Sequence, residues 1–266
     1  MKKYHQKNIL ITGAASGIGR LMALELAKLN PSSLILVDLN QEALNELTQD
    51  LEVKVHPYAF DLQDTDLIKK MFNELKTQGI SVDILINNAG VIIGKNFEEH
   101  THHDIDFTMG VNTQALMHLA LESLQMMKIK KSGHIVNIAS AAALVSNPGM
   151  SVYCGSKWAV VGWSDSLRLE MESTYPQIKV TTVLPYYINT GMFDGVKSPI
   201  IPILKPDYVV KKILKAVNHD RVFLRMPGLI NFVPLLKGIM PTALFDLVAG
   251  KVFGIYHSMK SFKGRS

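Results

Sequence analysis

"NILITGAASGIGRLMALELAKLN", residues 8–30, decides how the chain folds. It opens on an apolar, β-branched run of strand length, Gly13 stops that run, and from Ile18 onward apolar residues return at helical spacing. A strand, a glycine-rich turn and a helix form the first half of a unit that returns as a second, parallel strand. The same alternation recurs. "SLILVDL" (33–39), "VKVHPYAFDL" (53–62), "VDILINNAG" (82–90), "GHIVNIAS" (133–140), "IKVTTVLP" (178–185) and "DRVFLRMP" (220–227) read as strands. Between them "NQEALNELTQDLE" (40–52), "DTDLIKKMFNELKTQG" (64–79), "ALMHLALESLQMMKIKK" (115–131) and "SKWAVVGWSDSLRLEMESTY" (156–175) read as helices. The pattern predicts about seven strands in a doubly wound α/β sheet with helices on both faces. Ligands of such sheets bind outside the carboxyl ends of the strands.

The 266 residues, 47% hydrophobic and 19% charged, can build one large core, and no repeat or low-complexity segment divides them. The predicted organisation is one domain over 1–266, with a core over 1–195 and an extension over 196–266. Cys154 is the single cysteine, so no internal disulfide forms, and it reads as a small buried filler. The apolar run before Gly13 is too short for a signal peptide or a membrane span, and no other run reaches about 18 uninterrupted apolar residues. The expectation is a soluble, cytoplasmic protein that meets membranes only at their surface. Net charge is +5, but residues 205–266 hold eleven Lys and Arg against three Asp, so the first 204 residues carry −3. Lys128, Lys130 and Lys131 read as a helix C-terminus facing its dipole, not as a nucleic-acid patch. His100, His102 and His103 lie in a polar helix start without a fourth ligand, and no metal site is predicted.

"TGAASGIG" (12–19) places Gly13, Gly17 and Gly19 around a helix start, with Ser16 and Ile18 in its first turn. Glycines let backbone approach a pyrophosphate, and the helix N-terminus supplies N–H groups and positive dipole. The spacing is G-x-x-x-G-x-G, not G-x-G-x-x-G, and a plain glycine-rich turn is the alternative reading of it. Asp38 follows Gly19 by 19 residues, close to the spacing at which an acid meets an adenosine ribose. A carboxylate there repels a 2′-phosphate, and neither Ala14, Ala15, Leu39 nor Asn40 offers the cation that such a phosphate needs. NAD is favoured over NADP. Asp38 would also serve as the N-cap of the next helix.

Tyr153 and Lys157, at i and i+4, share one helix face. An ammonium within about 4–6 Å favours phenolate and lowers a phenol's pKa by about 1–3 units, into the range of acid–base work once a cofactor cation adds to it. Ser140, at the end of its strand, is placed to hold a substrate oxygen. Asn112 sits inside a helix pattern as a helix-bending or water-binding residue.

These stretches together, "TGAASGIG", "NNAG" (87–90), Asn112, Ser140, "YCGSK" (153–157) and Pro185 to Thr190, resemble the short-chain dehydrogenase/reductases over residues 8 to about 195. That resemblance implies a Rossmann-like fold and an NAD(P)-dependent oxidoreductase. It implies Tyr153 as general acid/base, Lys157 lowering its pKa and binding the nicotinamide ribose, Ser140 orienting substrate, and Asn112 holding a relay water. It further implies adenine contacts at Asp61 and Leu62, an adenosine wall of Asn88, Ala89 and Gly90, and carboxamide contacts from Ile188 and Thr190 after Pro185. Where the family has Pro-Gly this chain has Pro185-Tyr186, and Tyr186 does not take glycine-only angles freely, so another loop path is expected. Oligomers of two or four copies, through helices near 104–127 and 153–172, are implied by the same analogy.

After Thr190, the elements Thr190 to Gly195, Pro202 to Tyr208 and Met226-Pro227 are similar to the retinol and 17-beta-hydroxysteroid dehydrogenases, although no N-terminal hydrophobic anchor is expected here. The resemblance implies a hydrophobic secondary or allylic alcohol or carbonyl, bound through Ser140 and Tyr153. "MPGLINFVPLLKGIMPTALFDLVAGKVFGIYHSM" (226–259) is apolar, broken by prolines and dotted with Lys237 and Lys251. It reads either as a surface lying on an anionic membrane or as helices packed over the site or another subunit. Two other functions fit the core: a 3-oxoacyl thioester reductase, which would prefer NADPH, and a dinucleotide-sensing protein without catalysis.

Overall fold

The computed structural model describes residues 1–264, apart from the side chain of Lys260. Seven strands, β1 (Asn8–Thr12), β2 (Ser33–Asp38), β3 (Val55–Ala59), β4 (Ile84–Asn87), β5 (Gly133–Ile138), β6 (Ile178–Pro185) and β7 (Phe223–Met226), form one sheet. Their order is β3-β2-β1-β4-β5-β6-β7, every pairing is parallel, and the direction of winding reverses between β1 and β4. Period-two alternation splits the core between the faces. Ile9 and Ile11 pack with Leu26 and Ile213, whereas Leu10 between them packs with Met71, Leu85 and Leu119. The edge strand β3 is only half-buried and carries Pro57, which a central strand would reject for want of an N–H.

Helices α1 (Gly17–Ala27), α2 (Gln41–Gln49), α3 (Thr65–Thr77), α4 (His102–Met109), α5 (Ala115–Lys130), α6 (Ser151–Thr174) and α7 (Pro206–Asn218) fill the crossovers. α1 stops before the end of its apolar pattern, and Asn30 in the left-handed region turns the chain into β2. α6 starts at Ser151, five residues before the pattern that announces it, so Tyr153 and Lys157 both ride on it. His102 opens α4 under the Thr101 cap, and α5 ends at Lys130 with Lys131 left-handed behind it. Between α4 and α5 a π turn over Gly110–Gln114 carries Asn112, so the polar residue inside the helix pattern does mark a departure from α geometry. α2 is capped by Asn40, whose side chain accepts from the N–H of Ala43 at 3.0 Å, and this overturns a capping role for Asp38.

Beyond β7 the apolar segment breaks into α8 (Val233–Ile239), α9 (Thr242–Asp246), two tighter 3-10 turns over Gly228–Phe232 and Ile255–Ser261, and a wider π turn over Leu247–Val252. Among the described residues no helix is long and apolar enough to cross a membrane.

The α1 turn is packed too closely for a side chain. A Cβ on Gly19 would stand 2.0 Å from the Gly13 carbonyl oxygen and 2.6 Å from Asn88 Nδ2. Gly19→Ala is therefore expected to lower stability by about 1–3 kcal/mol, read by urea unfolding. A wild-type midpoint would contradict this packing.

Candidate dinucleotide and substrate site

At the reversal between β1 and β4 the two strand ends are tied together. Thr12 Oγ1 accepts from the N–H groups of Asn88 and Ala89, both at 3.0 Å, and Asn88 Nδ2 donates to the carbonyls of Thr12 (2.9 Å) and Gly13 (3.2 Å). Gly13 has φ +63°, and a Cβ there would press on Ala89 Cα at 3.0 Å. The knot opens into a cleft walled by Gly13, Ser16, Gly17 and Ile18 on one side and by Asn88, Ala89 and Gly90 on the other. The start of α1 faces it, and the first N–H groups of a helix have no partner within the helix. Wall glycines without a Cβ and a helix N-terminus fit a pyrophosphate.

Asp38 ends β2 half-buried, and its carboxylate accepts from the N–H of Ala15 (2.9 Å) and of Asn40 (3.0 Å). It thus joins the glycine turn to the neighbouring strand. Gly19, Asp38, Asp61, Leu62 and Asn112 are not in the cleft wall itself. Leu62 is buried in the core beside Ile68, and Asp61 accepts from the N–H of Gln63 at 2.9 Å.

Ser140, Tyr153 and Lys157 also line the cleft, as do Pro185, Ile188 and Thr190. Ser140 lies just past β5, where its hydroxyl accepts from the Ala142 N–H at 3.1 Å and shares a hydrogen bond with the Tyr153 phenol. Lys157 is 4% exposed; its ammonium donates to the Ile138 carbonyl at 3.1 Å and lies 5.7 Å from the centre of the Tyr153 ring. Asn112 grips Val91, accepting from its N–H at 2.7 Å and donating to its carbonyl at 2.9 Å, and also donates to Ser156 on α6 at 3.0 Å. A Cβ on Gly90 would lie 3.3 Å from Asn112 Oδ1 and 3.4 Å from Lys157 Nζ, so this glycine leaves room between amide and ammonium.

The expected fall in the phenol's pKa is not found in the chain alone. Burial pushes Tyr153 upward, and the Ser140 hydrogen bond opposes the rise. Burial also brings Lys157 down to about 8, because an ammonium removed from water is itself disfavoured.

A second chamber, with about 930 Å³ of empty space counting the open solvent at its mouth, adjoins the first and shares Ser140, Tyr186 and Phe193 with it. Its walls are otherwise almost wholly apolar, and Leu229, Ile230, Leu236, Met240 and Phe245 from the C-terminal segment close it. Tyr186 is absent from the residues with positive φ, so the loop after Pro185 runs without the glycine geometry. Its N–H donates to the Met226 carbonyl at 2.8 Å, its hydroxyl pairs with Ser198 at 3.0 Å, and its ring meets Tyr187 edge-on at 4.6 Å. Phe193 stands edge-on to Tyr153 at 6.0 Å. Sequence reasoning missed Phe193, Met192 and the Ile138-Ala139 backbone as cleft walls; only the aromatic in "GMFDG" offered a signal.

The buried ammonium has a stability signature. Below about pH 8 Lys157 is charged in both folded and unfolded chains and its burial weighs in full; between about 8 and 10.5 the unfolded chain binds more protons, so this residue makes stability rise with pH. Lys157→Met should therefore be more stable than the parent at pH 7, by about 1–3 kcal/mol after loss of one hydrogen bond. The difference should vanish as pH passes 10.5, read by urea unfolding across pH. A variant equally stable or weaker at pH 7 would refute the buried charge.

Comparison with known proteins agrees with this geometry. A family model described as short chain dehydrogenase matches residues 7–200. Epidermal retinol dehydrogenase 2 of Mus musculus is 36% identical over 265 residues, covering 97% of this chain and 85% of that protein. Retinol dehydrogenase 10-B of Danio rerio is 32% identical, covering 90% of this chain and 79% of that protein. Among solved structures, a short chain dehydrogenase/reductase from Burkholderia phymatum in complex with NAD superposes with a TM-score of 0.80 at 25% identity, covering 90% of this chain and 95% of that one. With its parallel seven-stranded sheet and the matches along its length, the chain belongs to the short-chain dehydrogenase/reductase family, on its retinol dehydrogenase-like side.

Proposed function

We propose that this oxidoreductase moves hydride between NAD(H) and a hydrophobic secondary or allylic alcohol, or its carbonyl, with Tyr153 as the general acid/base. One observation carries the reading: the glycine-walled cleft and the apolar chamber meet at Ser140, which is hydrogen-bonded to the Tyr153 phenol. A substrate whose apolar body fills the chamber presents its oxygen to these two hydroxyls. When bound, the dinucleotide supplies the nicotinamide carbon that takes or returns hydride. In oxidation the phenolate of Tyr153 takes the alcohol O–H proton as the C–H pair departs; in reduction the phenol returns it. Lys157 would hold the nicotinamide ribose, and the positive charge of an oxidised nicotinamide, once bound, would favour the phenolate that the chain alone does not. Asn112 backs this pair with a bound water. Thr190, whose Cβ lies 3.6 Å from where a Gly17 Cβ would stand, and the Ile188 backbone face the carboxamide. Asp38 receives the adenosine ribose and disfavours a 2′-phosphate, which supports NAD over NADP and speaks against the thioester-reductase reading.

The C-terminal segment closes the chamber with one face and exposes the other. Phe232, Leu235, Ile239 and Val252 are each more than half exposed, with exposed Lys251 among them, whereas the Lys237 ammonium donates to the Leu144 carbonyl at 3.1 Å and lies 4.5 Å over the Trp158 ring. Moving one such side chain out of water contributes about 1.5–3 kcal/mol, and cations beside it favour anionic headgroups. This face rests peripherally on a membrane from which a hydrophobic alcohol partitions. Exposed Leu121 and Leu169, on α5 and α6, support packing of a second copy there.

Tyr153→Phe is expected to lose about 10²–10⁴-fold in turnover of retinoid, steroid or fatty alcohols, with calorimetry still showing NAD bound, and bound more tightly than NADP. Retained turnover would end the assignment. Leu235→Ser combined with Ile239→Ser should abolish co-sedimentation with phosphatidylserine-containing vesicles at unchanged melting temperature. Equal sedimentation of variant and parent would exclude this face.

A further inference from the structure

The apolar chamber has a polar spot at Asn147 and Tyr187. Asn147, on the loop between Ser140 and α6, Tyr187, just past β6, and Ser258, in the last turn, form a triangle. Asn147 Nδ2 donates to Ser258 Oγ at 2.7 Å and to Tyr187 Oη at 3.1 Å, and the two hydroxyls lie 2.8 Å apart. All three residues are more than nine-tenths buried, at 6%, 8% and 1% exposure.

Counting hydrogens isolates one atom. Nδ2 uses both of its own, one hydroxyl hydrogen bridges the two oxygens, and Tyr187 has Met150 Sδ at 3.7 Å for the other. Asn147 Oδ1 is left without a partner among the described residues. An unpaired buried acceptor weakens the fold until something donates to it. The triangle does not need it, since Nδ2 alone ties the loop to the last turn. Asn147 and Tyr187 both line the chamber that Ser140 shares, and the Tyr187 ring is 5.0 Å from Phe193, itself 6.0 Å from Tyr153. A purely hydrocarbon substrate leaves this oxygen unpaired.

We propose that Asn147 determines specificity, its Oδ1 accepting a hydrogen bond from a second hydroxyl on the hydrophobic alcohol. The proposal rests on Ser140 and Tyr153 being the reaction centre. It calls for a donor, so an ether oxygen at the same place does not suffice. The triangle also gives Ser258 a positioning role, holding the closing segment against the loop that carries Asn147.

The test compares matched ligands: a long-chain secondary alcohol, diols with the second hydroxyl at successive positions, and the methyl ethers of those diols. Their affinities for the NAD-loaded protein are measured by calorimetry, and their KM and kcat by NADH formation. The expected result is one diol position that binds about tenfold tighter than the mono-alcohol, about 1.4 kcal/mol, with a matching fall in KM and no gain for its ether. Asn147→Leu should erase the tenfold preference, whereas Ser258→Ala, which keeps the carbonyl, should retain it. No preference in the unmodified protein, an equal gain from the ether, or a preference that survives Asn147→Leu would each overturn the assignment. If Asn147→Leu does not fold, the ligand series in the unmodified protein decides. Absence of turnover for every ligand would count against the proposed reaction, while the calorimetric ratio would still judge Asn147.

Discussion

A lysine removed from water next to a phenol removed from water is the constraint around which this molecule is arranged. Lys157 and Tyr153 are each about 4% exposed, and burial moves their pKa values toward the neutral forms, Lys157 to about 8 and Tyr153 upward. In the chain alone the phenol has no cause to give up its proton. What the protein supplies is position: a main-chain carbonyl for the ammonium, a serine hydroxyl for the phenol, and an open cleft beside both. Any charge that would favour phenolate has to come from outside the chain, through the open cleft beside the pair.

Holding that pair in place recruits the middle of the sheet. α6 is fixed through Asn112, which reaches from the π turn to Ser156 while clamping Val91 on both backbone atoms. The β1–β4 reversal is fixed through Thr12 and Asn88. Gly13 and Gly90 serve the same end by leaving space: a side chain at either position would push into Ala89 or between Asn112 and Lys157. Polar groups at this depth stabilise only when fully paired, and here the pairing also fixes geometry.

The sheet was legible because its strands are buried on both faces and so appear as unbroken apolar runs bounded by Gly, Asp and Pro. Even β7, the weakest run, lies where the sequence put it. Part of the cleft wall was legible through residue type: glycines before a helix, and a tyrosine and lysine one turn apart. Less legible was whatever depends on competing energies. The i, i+4 spacing announced contact between Lys157 and Tyr153 but not that desolvation would outweigh the cation's pull. The capping of α2 by Asn40 rather than Asp38 turned on which carbonyl oxygen reached Ala43, a matter of ångströms that residue type does not encode. The chamber was least visible, since its lining is gathered from the Ser140–Met150 loop, the stretch after β6 and the last forty residues, with no common period.

Tyr186 shows how a departure from a family pattern is absorbed. A tyrosine in place of glycine would strain a left-handed turn, yet the backbone here needs none, because β6 pairs with β7 as far as Pro185 and Met226 and carries the chain past the site in extended form. The added ring then becomes wall: it faces both cleft and chamber, stacks edge-on against Tyr187, and fixes its hydroxyl to Ser198 in the loop that leads to the closing segment. Tyr187 continues the connection to Ser258, so two adjacent tyrosines join the end of β6 to both the near and the far parts of the C-terminal third. The closing segment buries few large side chains of its own, Ile230 and Phe245 among them, and leaves many exposed, so its placement depends on these hydroxyl contacts and on whatever its outer face meets. A chamber closed in this way is held shut by a few hydrogen bonds and a thin apolar layer, which can open at far lower cost than the sheet beneath it.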